Sequence, residues 1–165
     1  MSEIRFYHLT ERPLETVLPT MLEKCLERGW RAVVRVGTPE RLGELDTFLW
    51  TYASEGFLPH GAAGDDLAGT GADQPVWLTT GEELPNAPDT LFLVQGAQGT
   101  PDLYTRFTTT ALIFDGHDKD AVAQARDQWR GVCSVGLKAV YWAQDARGAW
   151  LRKAENAPQA TPPAA

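Results

Sequence analysis

Two arginines and a tryptophan lie close together in a segment whose apolar residues recur at helical spacing. Arg126 and Arg130 are four residues apart with Trp129 beside them, so all three lie on one face of a helix. Two guanidinium groups next to an aromatic ring could bind a carboxylate together with an apolar side chain. The alternative is an ordinary solvated helix face on which Trp129 covers the core. Asp127 can pair with Arg130 but is poorly placed for Arg126.

A phosphate-binding loop is the second kind of chemistry to consider. The first predicted strand-to-helix junction, HLTERPLE (8–15), contains no glycine, whereas a dinucleotide-binding loop needs glycine so that the phosphate can approach the backbone. The GxxxxGK[ST] pattern is absent. The glycines between 61 and 71 do not follow a predicted strand. Residues Gly96–Thr100 do follow one, and they leave open a nucleotide-binding domain or enzyme, although an ordinary loop is the simpler interpretation.

Catalytic and metal-binding patterns are not found in the sequence. The histidines His8, His60 and His117 lie in no HExxH or Ser/His/Asp motif. Cys25 and Cys133 are far apart in apolar segments, the usual setting of buried thiols in a reducing compartment. We therefore expect no catalytic residues, no metal and no cofactor.

Composition and charge limit the class of partner. The chain has 165 residues, 43% of them hydrophobic and 22% charged, and a net charge of −7, which is typical of a globular domain without a broad basic surface. No direct DNA binding is expected. The N-terminal segment MSEIRFYHL lacks the pattern of a secretory signal, and no apolar run approaches the roughly 20 residues of a membrane span. We expect a cytoplasmic protein that does not contact the membrane.

The elements that must position these residues follow from the apolar periodicity. Strand and helix alternate at the start of the chain, which predicts an α/β fold with a mostly parallel sheet flanked by helices on both faces. We expect one domain over residues 1–153 and a disordered tail over 154–165. The predicted strands are 4–9, 30–36, 76–80, 91–95, 111–115 and 138–143; the helices are 14–28, 39–52 and 118–135, with a helical turn at 104–107, a loop at 54–74 and a terminal hairpin at 144–153.

Several segments together resemble the χ (chi) subunit family of DNA polymerase III. The resemblance covers about residues 3–142, and no single segment is specific alone. The matching segments are FYHL (6–9), GWRAVVRV (29–36), LDTFLW (45–50), FLPH (57–60), PVWL (75–78), PDTLFLV (88–94), RFTTTALIFD (106–115) and ARDQWRGVCSVG (125–136).

This resemblance implies a non-enzymatic α/β protein with a nucleotide-binding-like topology that lacks a phosphate loop. The family binds the acidic, phenylalanine-ended C-terminal tail of the single-stranded DNA-binding protein and connects it to the clamp loader. By resemblance, the tail site falls on Arg126, Trp129 and Arg130. Family members commonly have arginine, tyrosine and lysine there, so Trp129 and Arg130 differ from the pattern but are chemically compatible with it.

The resemblance also implies a second partner, the ψ (psi) subunit, through which the family joins the clamp loader. Its interface would lie near Trp50, Phe57, Pro59 and His60. For Trp50 and Phe57 the alternative is plain core packing. The terminal hairpin extends beyond the shortest members of the family, and the resemblance assigns it no role.

Overall fold

A computed structural model describes the fold of residues 2–51, 60–62 and 74–155. These residues form eight strands and four helices, so the predicted α/β class with mostly parallel strands is confirmed. In chain order the elements are β1 (Glu3–Leu9), α1 (Leu14–Glu27), β2 (Ala32–Val36), α2 (Pro39–Thr51), β3 (Gly61–Ala62), β4 (Val76–Thr79), β5 (Thr90–Val94), α3 (Pro101–Tyr104), β6 (Thr109–Asp115), α4 (Lys119–Ser134), β7 (Lys138–Gln144) and β8 (Trp150–Glu155).

The chain divides into two compact units, Met1–Leu14 with Gly99–Ala165, and Glu15–Gln98. The first unit contains four neighbouring strands in the order β6-β1-β7-β8, of which β6, β1 and β7 are parallel and β8 is antiparallel to β7. The second unit contains the order β3-β4-β2-β5, with all neighbours parallel. The single domain predicted for residues 1–153 stays a prediction.

Side-chain alternation along β1 determines which residues of the first unit lie under α4. Ile4 and Phe6 are buried, and His8, two residues further along the same face, is half-buried. In the parallel register, Phe6 lies opposite Tyr141 of β7, so their side chains share a face. Helix α4 packs on this face through Trp129.

The buried strands of the second unit have the composition that parallel sheets require. All five residues of β2 and all five of β5 are buried, as expected for strands that are covered on both faces. Helix α1 ends before Gly29, whose φ of +75° is a conformation that glycine adopts without steric cost. Pro19 lies inside α1 and is buried.

Three predicted segments differ from the structure by more than small shifts at the ends of an element. The turn expected at 104–107 is the helix α3, which begins earlier because the Thr100 side chain accepts a hydrogen bond from the N–H of Leu103 and Pro101 occupies the first turn. Within the predicted loop 54–74, Gly61–Ala62 form β3, which pairs with β4; residues 54–59 and 63–73 lie outside the described residues. Strand β8 extends to Glu155, and the remainder of the predicted tail is not described.

Candidate functional site

The helix α4 carries the three residues singled out from the sequence. The Asp118 side chain caps its N-terminus by accepting hydrogen bonds from the N–H groups of Asp120 and Ala121, which satisfies donors that a helix start leaves open. Ala125 and Val132 are the buried residues of α4. The helix is therefore anchored at its start and along one face, which holds the neighbouring positions in a defined orientation.

Trp129 is half-buried against the aromatic side chains of two strands. Its ring meets the ring of Phe6 nearly edge-on, with the centroids 5.4 Å apart, and that of Tyr141 with the centroids 5.9 Å apart. Phe6 and Tyr141 stack on each other at 6.4 Å. Trp129 thus covers the core and still keeps an accessible part, so core packing and contact with a ligand are compatible.

The two arginines differ in their contacts. The exposed Arg130 guanidinium pairs with Asp127 at 3.1 Å, and both side chains are about three-quarters exposed, 74% and 75%. Such exposed pairs contribute little stability. Arg126 is also exposed, and within the described ranges no hydrogen bond or ion pair engages its guanidinium group. Arg126 therefore presents a cation that a ligand can reach without first breaking an internal pair.

Two further residues of this site were not assigned to it from the sequence. The His8 Nδ1 atom and the Tyr141 hydroxyl are hydrogen-bonded at 2.6 Å. Burial, followed by the charges of His117 and Arg126, lowers the pKa of His8. Burial raises the pKa of Tyr141, against the opposing charge of Arg126. Arg126 therefore acts electrostatically on both members of the hydrogen-bonded pair.

The sequence contained only a weak signal for this pair. Alternation along β1 places His8 on the same face as Phe6, but the spacing of residues does not reveal which later strand lies beside β1. The structure places β7 there, so that Tyr141 reaches His8. Tyr141 belongs to a predicted strand but carried no expected function.

The loop after β1 shows why the first strand-to-helix junction offers no phosphate site. The backbone N–H groups of Thr10, Glu11 and Arg12 all donate to the Oε1 atom of Gln144, at 2.9, 2.9 and 3.0 Å. In phosphate-binding folds, N–H groups at such a junction bind the anion. Here the buried carboxamide of Gln144 already occupies these three donors.

The alternative phosphate loop, Gly96–Thr100, is engaged in local structure. Gln95 and Gly96 have positive φ angles of 52° and 91°, which form the turn after β5. The carbonyl oxygen of Gly99 accepts a hydrogen bond from Gln128 Nε2 at 3.3 Å, and Thr100 caps α3.

The residues of the expected ψ interface are described only in part. Trp50 is 49% exposed, whereas His60 is 3% exposed; the Trp50 ring covers the His60 ring with the centroids 4.3 Å apart. His60 Nε2 lies 3.0 Å from Asp46 Oδ1. Phe57 and Pro59 lie outside the described residues. Trp50 is thus a large aromatic side chain that is half exposed and also packs on His60, and its place in a ψ interface stays a prediction.

The part of the chain that the structure describes contains neither a metal-binding cluster nor a membrane-spanning helix. No group of three or more histidine, cysteine, aspartate or glutamate side chains there is arranged to hold a metal ion. None of the helices in the same residues has both the length and the apolar character needed to cross a bilayer.

Comparison with known proteins adds independent information. The family model described as "DNA polymerase III chi subunit, HolC" matches residues 1–139. A protein of Rickettsia prowazekii named "Probable DNA polymerase III subunit chi" is 26% identical over 94 residues, which are 57% of this chain and 55% of that protein. The "DNA polymerase III subunit chi" of Pseudomonas aeruginosa is 29% identical over 111 residues, which are 67% of this chain and 72% of that protein.

The chain thus spans little more than half of the first relative and nearly three-quarters of the second. The family model, in contrast, covers most of the chain described here, and the resemblance inferred from the sequence is confirmed. This chain belongs to the DNA polymerase III chi subunit family.

Proposed function

We propose that this chain is a non-catalytic accessory subunit of the DNA polymerase III holoenzyme that works in the cytoplasm. In this role it binds the acidic C-terminal tail of the single-stranded DNA-binding protein and connects it to the clamp loader. Family membership supports the role as a replication subunit. The observation that carries the tail-binding proposal is the exposed Arg126 guanidinium, which no described residue engages, beside the half-buried ring of Trp129.

Arg126 is suited to the terminal carboxylate of the tail. A guanidinium group can donate two parallel hydrogen bonds to a carboxylate, and a hydrogen bond to a charged group contributes about 1.5–3 kcal/mol. Because no residue in the described part of the chain pairs with Arg126, no such internal ion pair opposes this contact.

Trp129 and Arg130 would hold the rest of the tail. The accessible part of the Trp129 ring offers an apolar wall for the terminal phenylalanine, at the centroid distances typical of aromatic pairs. Arg130 attracts the aspartates of the tail, in competition with Asp127. Since the whole chain carries a net charge of −7, the attraction is local, and the affinity should be modest and should fall as the salt concentration rises.

A second surface, centred on Trp50, is proposed to contact the ψ subunit or the clamp loader. An exposed tryptophan is a common anchor of protein interfaces, and Trp50 lies on the ring of the buried His60. Phe57 and Pro59 are included by resemblance alone.

Calorimetric titration with a tail peptide tests the tail-binding proposal. Arg126→Ala should weaken binding at least tenfold, because a charge-assisted contact of this kind contributes a factor of ten or more. Arg152→Ala is the matched control, since it removes the same charge from an arginine on β8 that pairs with Glu155, and it should bind the peptide normally. Equal binding by wild type and Arg126→Ala would show that the tail does not bind at this face of α4.

A further inference from the structure

The hydrogen bond between His8 and Tyr141 controls what the Tyr141 hydroxyl can offer a ligand. Tyr141 has a single hydroxyl hydrogen. If His8 Nδ1 accepts that hydrogen, the hydroxyl has none left for an anion. If Nδ1 carries a proton, His8 donates to the Tyr141 oxygen over the 2.6 Å between them, and the phenolic hydrogen is available to a ligand.

The position of the pair places this donor in the tail site. Tyr141 lies edge-on to Trp129, and the charge of Arg126 acts on both Tyr141 and His8. His8 and Tyr141 are half-buried rather than enclosed, so we expect a ligand that lies on Trp129 and pairs with Arg126 to reach the hydroxyl.

We propose that the Tyr141 hydroxyl, oriented by His8, is a second donor to the terminal carboxylate bound by Arg126, and that this pair makes the site selective for a free chain end. The inference rests on the tail-binding function proposed above. Tyr141 is a binding residue in this arrangement, and His8 is a positioning residue that acts through it.

Selectivity for a chain end follows from the chemistry of the donors. One guanidinium group and one phenol provide hydrogen bonds to both oxygens of a carboxylate. A C-terminal amide keeps one carbonyl oxygen but replaces the other by an NH₂ group, which has no lone pair to offer these donors. The site should therefore bind an acid-ended peptide much better than the same peptide ending in an amide.

Binding should also take up a proton at His8. The charged and titratable groups around this ring are Tyr141 from β7, Arg126 from α4, and Asp115 and His117 at the end of β6. Burial and the charges of His117 and Arg126 hold the pKa of His8 below its ordinary value, with Asp115 acting in the opposite direction. The lowered pKa favours the neutral form of His8 in the free protein. A bound carboxylate adds negative charge, which raises the pKa of His8, so affinity increases as the pH falls.

The first experiment compares wild type and Tyr141→Phe in calorimetric titrations with acid-ended and amide-ended tail peptides. The phenylalanine ring keeps the contacts with Trp129 and Phe6. Tyr141→Phe should weaken binding of the acid-ended peptide roughly tenfold or more, as expected for one hydrogen bond to a charged group, and should change binding of the amide-ended peptide less than about twofold. Equal binding of the acid-ended peptide, or the same loss with both peptides, would overturn the inference.

The second experiment measures the affinity for the acid-ended peptide at pH 7.5 and pH 5.5, where the tail carboxylates stay ionised. Wild type should bind at least about threefold more tightly at the lower pH. His8→Asn keeps a donor near the Nδ1 position but does not titrate, so its affinity should be similar at both values. An unchanged increase in His8→Asn would contradict the role of His8. If wild type binds neither peptide, the proposed tail-binding function itself is wrong.

Discussion

The ring of Trp129 lies edge-on to the ring of Tyr141, with the planes at 78° and the centroids 5.9 Å apart. Since Tyr141 also stacks on the buried Phe6, the tryptophan is held by the same strands that form the core. A substitution at Trp129 therefore affects both the stability of the fold and the proposed binding surface, and these two effects can be measured separately.

Trp129→Ala should lower the free energy of unfolding by about 2 kcal/mol, less than the loss of a fully buried tryptophan. It should also weaken tail-peptide binding at least tenfold, because the apolar wall is lost. Trp129→Tyr keeps an aromatic ring and should retain most of both properties. Urea unfolding and calorimetry measure the two quantities. If Trp129→Ala loses stability but binds the peptide normally, Trp129 serves only the core.

The pair between Asp127 and Arg130 leads to a prediction of tighter binding. Asp127→Asn removes the carboxylate that occupies Arg130 at 3.1 Å and that repels an acidic ligand. Tail-peptide affinity should increase roughly two- to threefold at low salt, and the gain should decrease as salt is added.

Asp102→Asn is the control for this prediction, because Asp102 is an exposed acid on α3 and its replacement changes the net charge equally. It should leave the affinity unchanged. The same gain in both variants would mean that only the overall charge matters and that Arg130 has no specific contact with the tail.

A substitution at Gln144 tests how much its hydrogen bonds stabilise the loop after β1. Its Oε1 atom accepts three backbone N–H groups, and Gln144→Leu removes this acceptor. The free energy of unfolding should fall by about 1–3 kcal/mol, the cost of leaving partly buried donors unsatisfied. Gln144→Glu keeps an oxygen acceptor and should lose less. Urea denaturation of the three proteins measures the difference, and an unchanged value for Gln144→Leu would show that water satisfies these donors equally well.

Glu3 should make the free energy of unfolding depend on pH in the acidic range. Burial opposes its ionisation, but the hydrogen bonds and charges of Arg5 and Lys138 outweigh burial and hold the pKa of Glu3 below its ordinary value. A carboxylate with a lowered folded-state pKa stabilises the fold above its unfolded pKa, about 4.3 for glutamate, and loses this contribution as the pH falls through the folded value.

Glu3→Gln should consequently cost about 1 kcal/mol or less at neutral pH, since the ion pairs are partly exposed. The difference from wild type should shrink at pH values below about 4, where Glu3 of the wild type becomes protonated. Urea unfolding across this range provides the measurement. If the stability difference between wild type and Glu3→Gln instead increased as the pH fell, this mechanism would be wrong.

Trp50 tests the second proposed surface. Because Trp50 is 49% exposed but covers the ring of His60, Trp50→Ala should lower the free energy of unfolding less than Trp129→Ala does, and it should lower the retention of ψ or the clamp loader in a pull-down. Tail-peptide binding should remain normal. Unchanged retention of these partners would show that Trp50 is not part of the interface.

Much of the fold could be predicted from local patterns. The predicted ends of the apolar strands and of the periodic helices α1, α2 and α4 lie within two residues of those in the structure, because the burial of one face gives each element its own period. The two-residue strand β3 is not predicted, because so short a segment has no period. It forms only through its pairing with β4, which lies more than a dozen residues further along the chain.

The sequence by itself determined that Arg126, Trp129 and Arg130 share one helix face, since helical spacing is a local property. It also excluded a glycine-rich phosphate loop at the first strand-to-helix junction, which contains no glycine. The same helical spacing indicates the pairing of Asp127 with Arg130. Only the tertiary structure decided that Trp129 packs against Phe6 and Tyr141, and that His8 meets Tyr141, 133 residues further along the chain. Contacts of this kind depend on which strands become neighbours, and neighbouring strands are selected by the packing of the whole unit rather than by the spacing of residues along the chain.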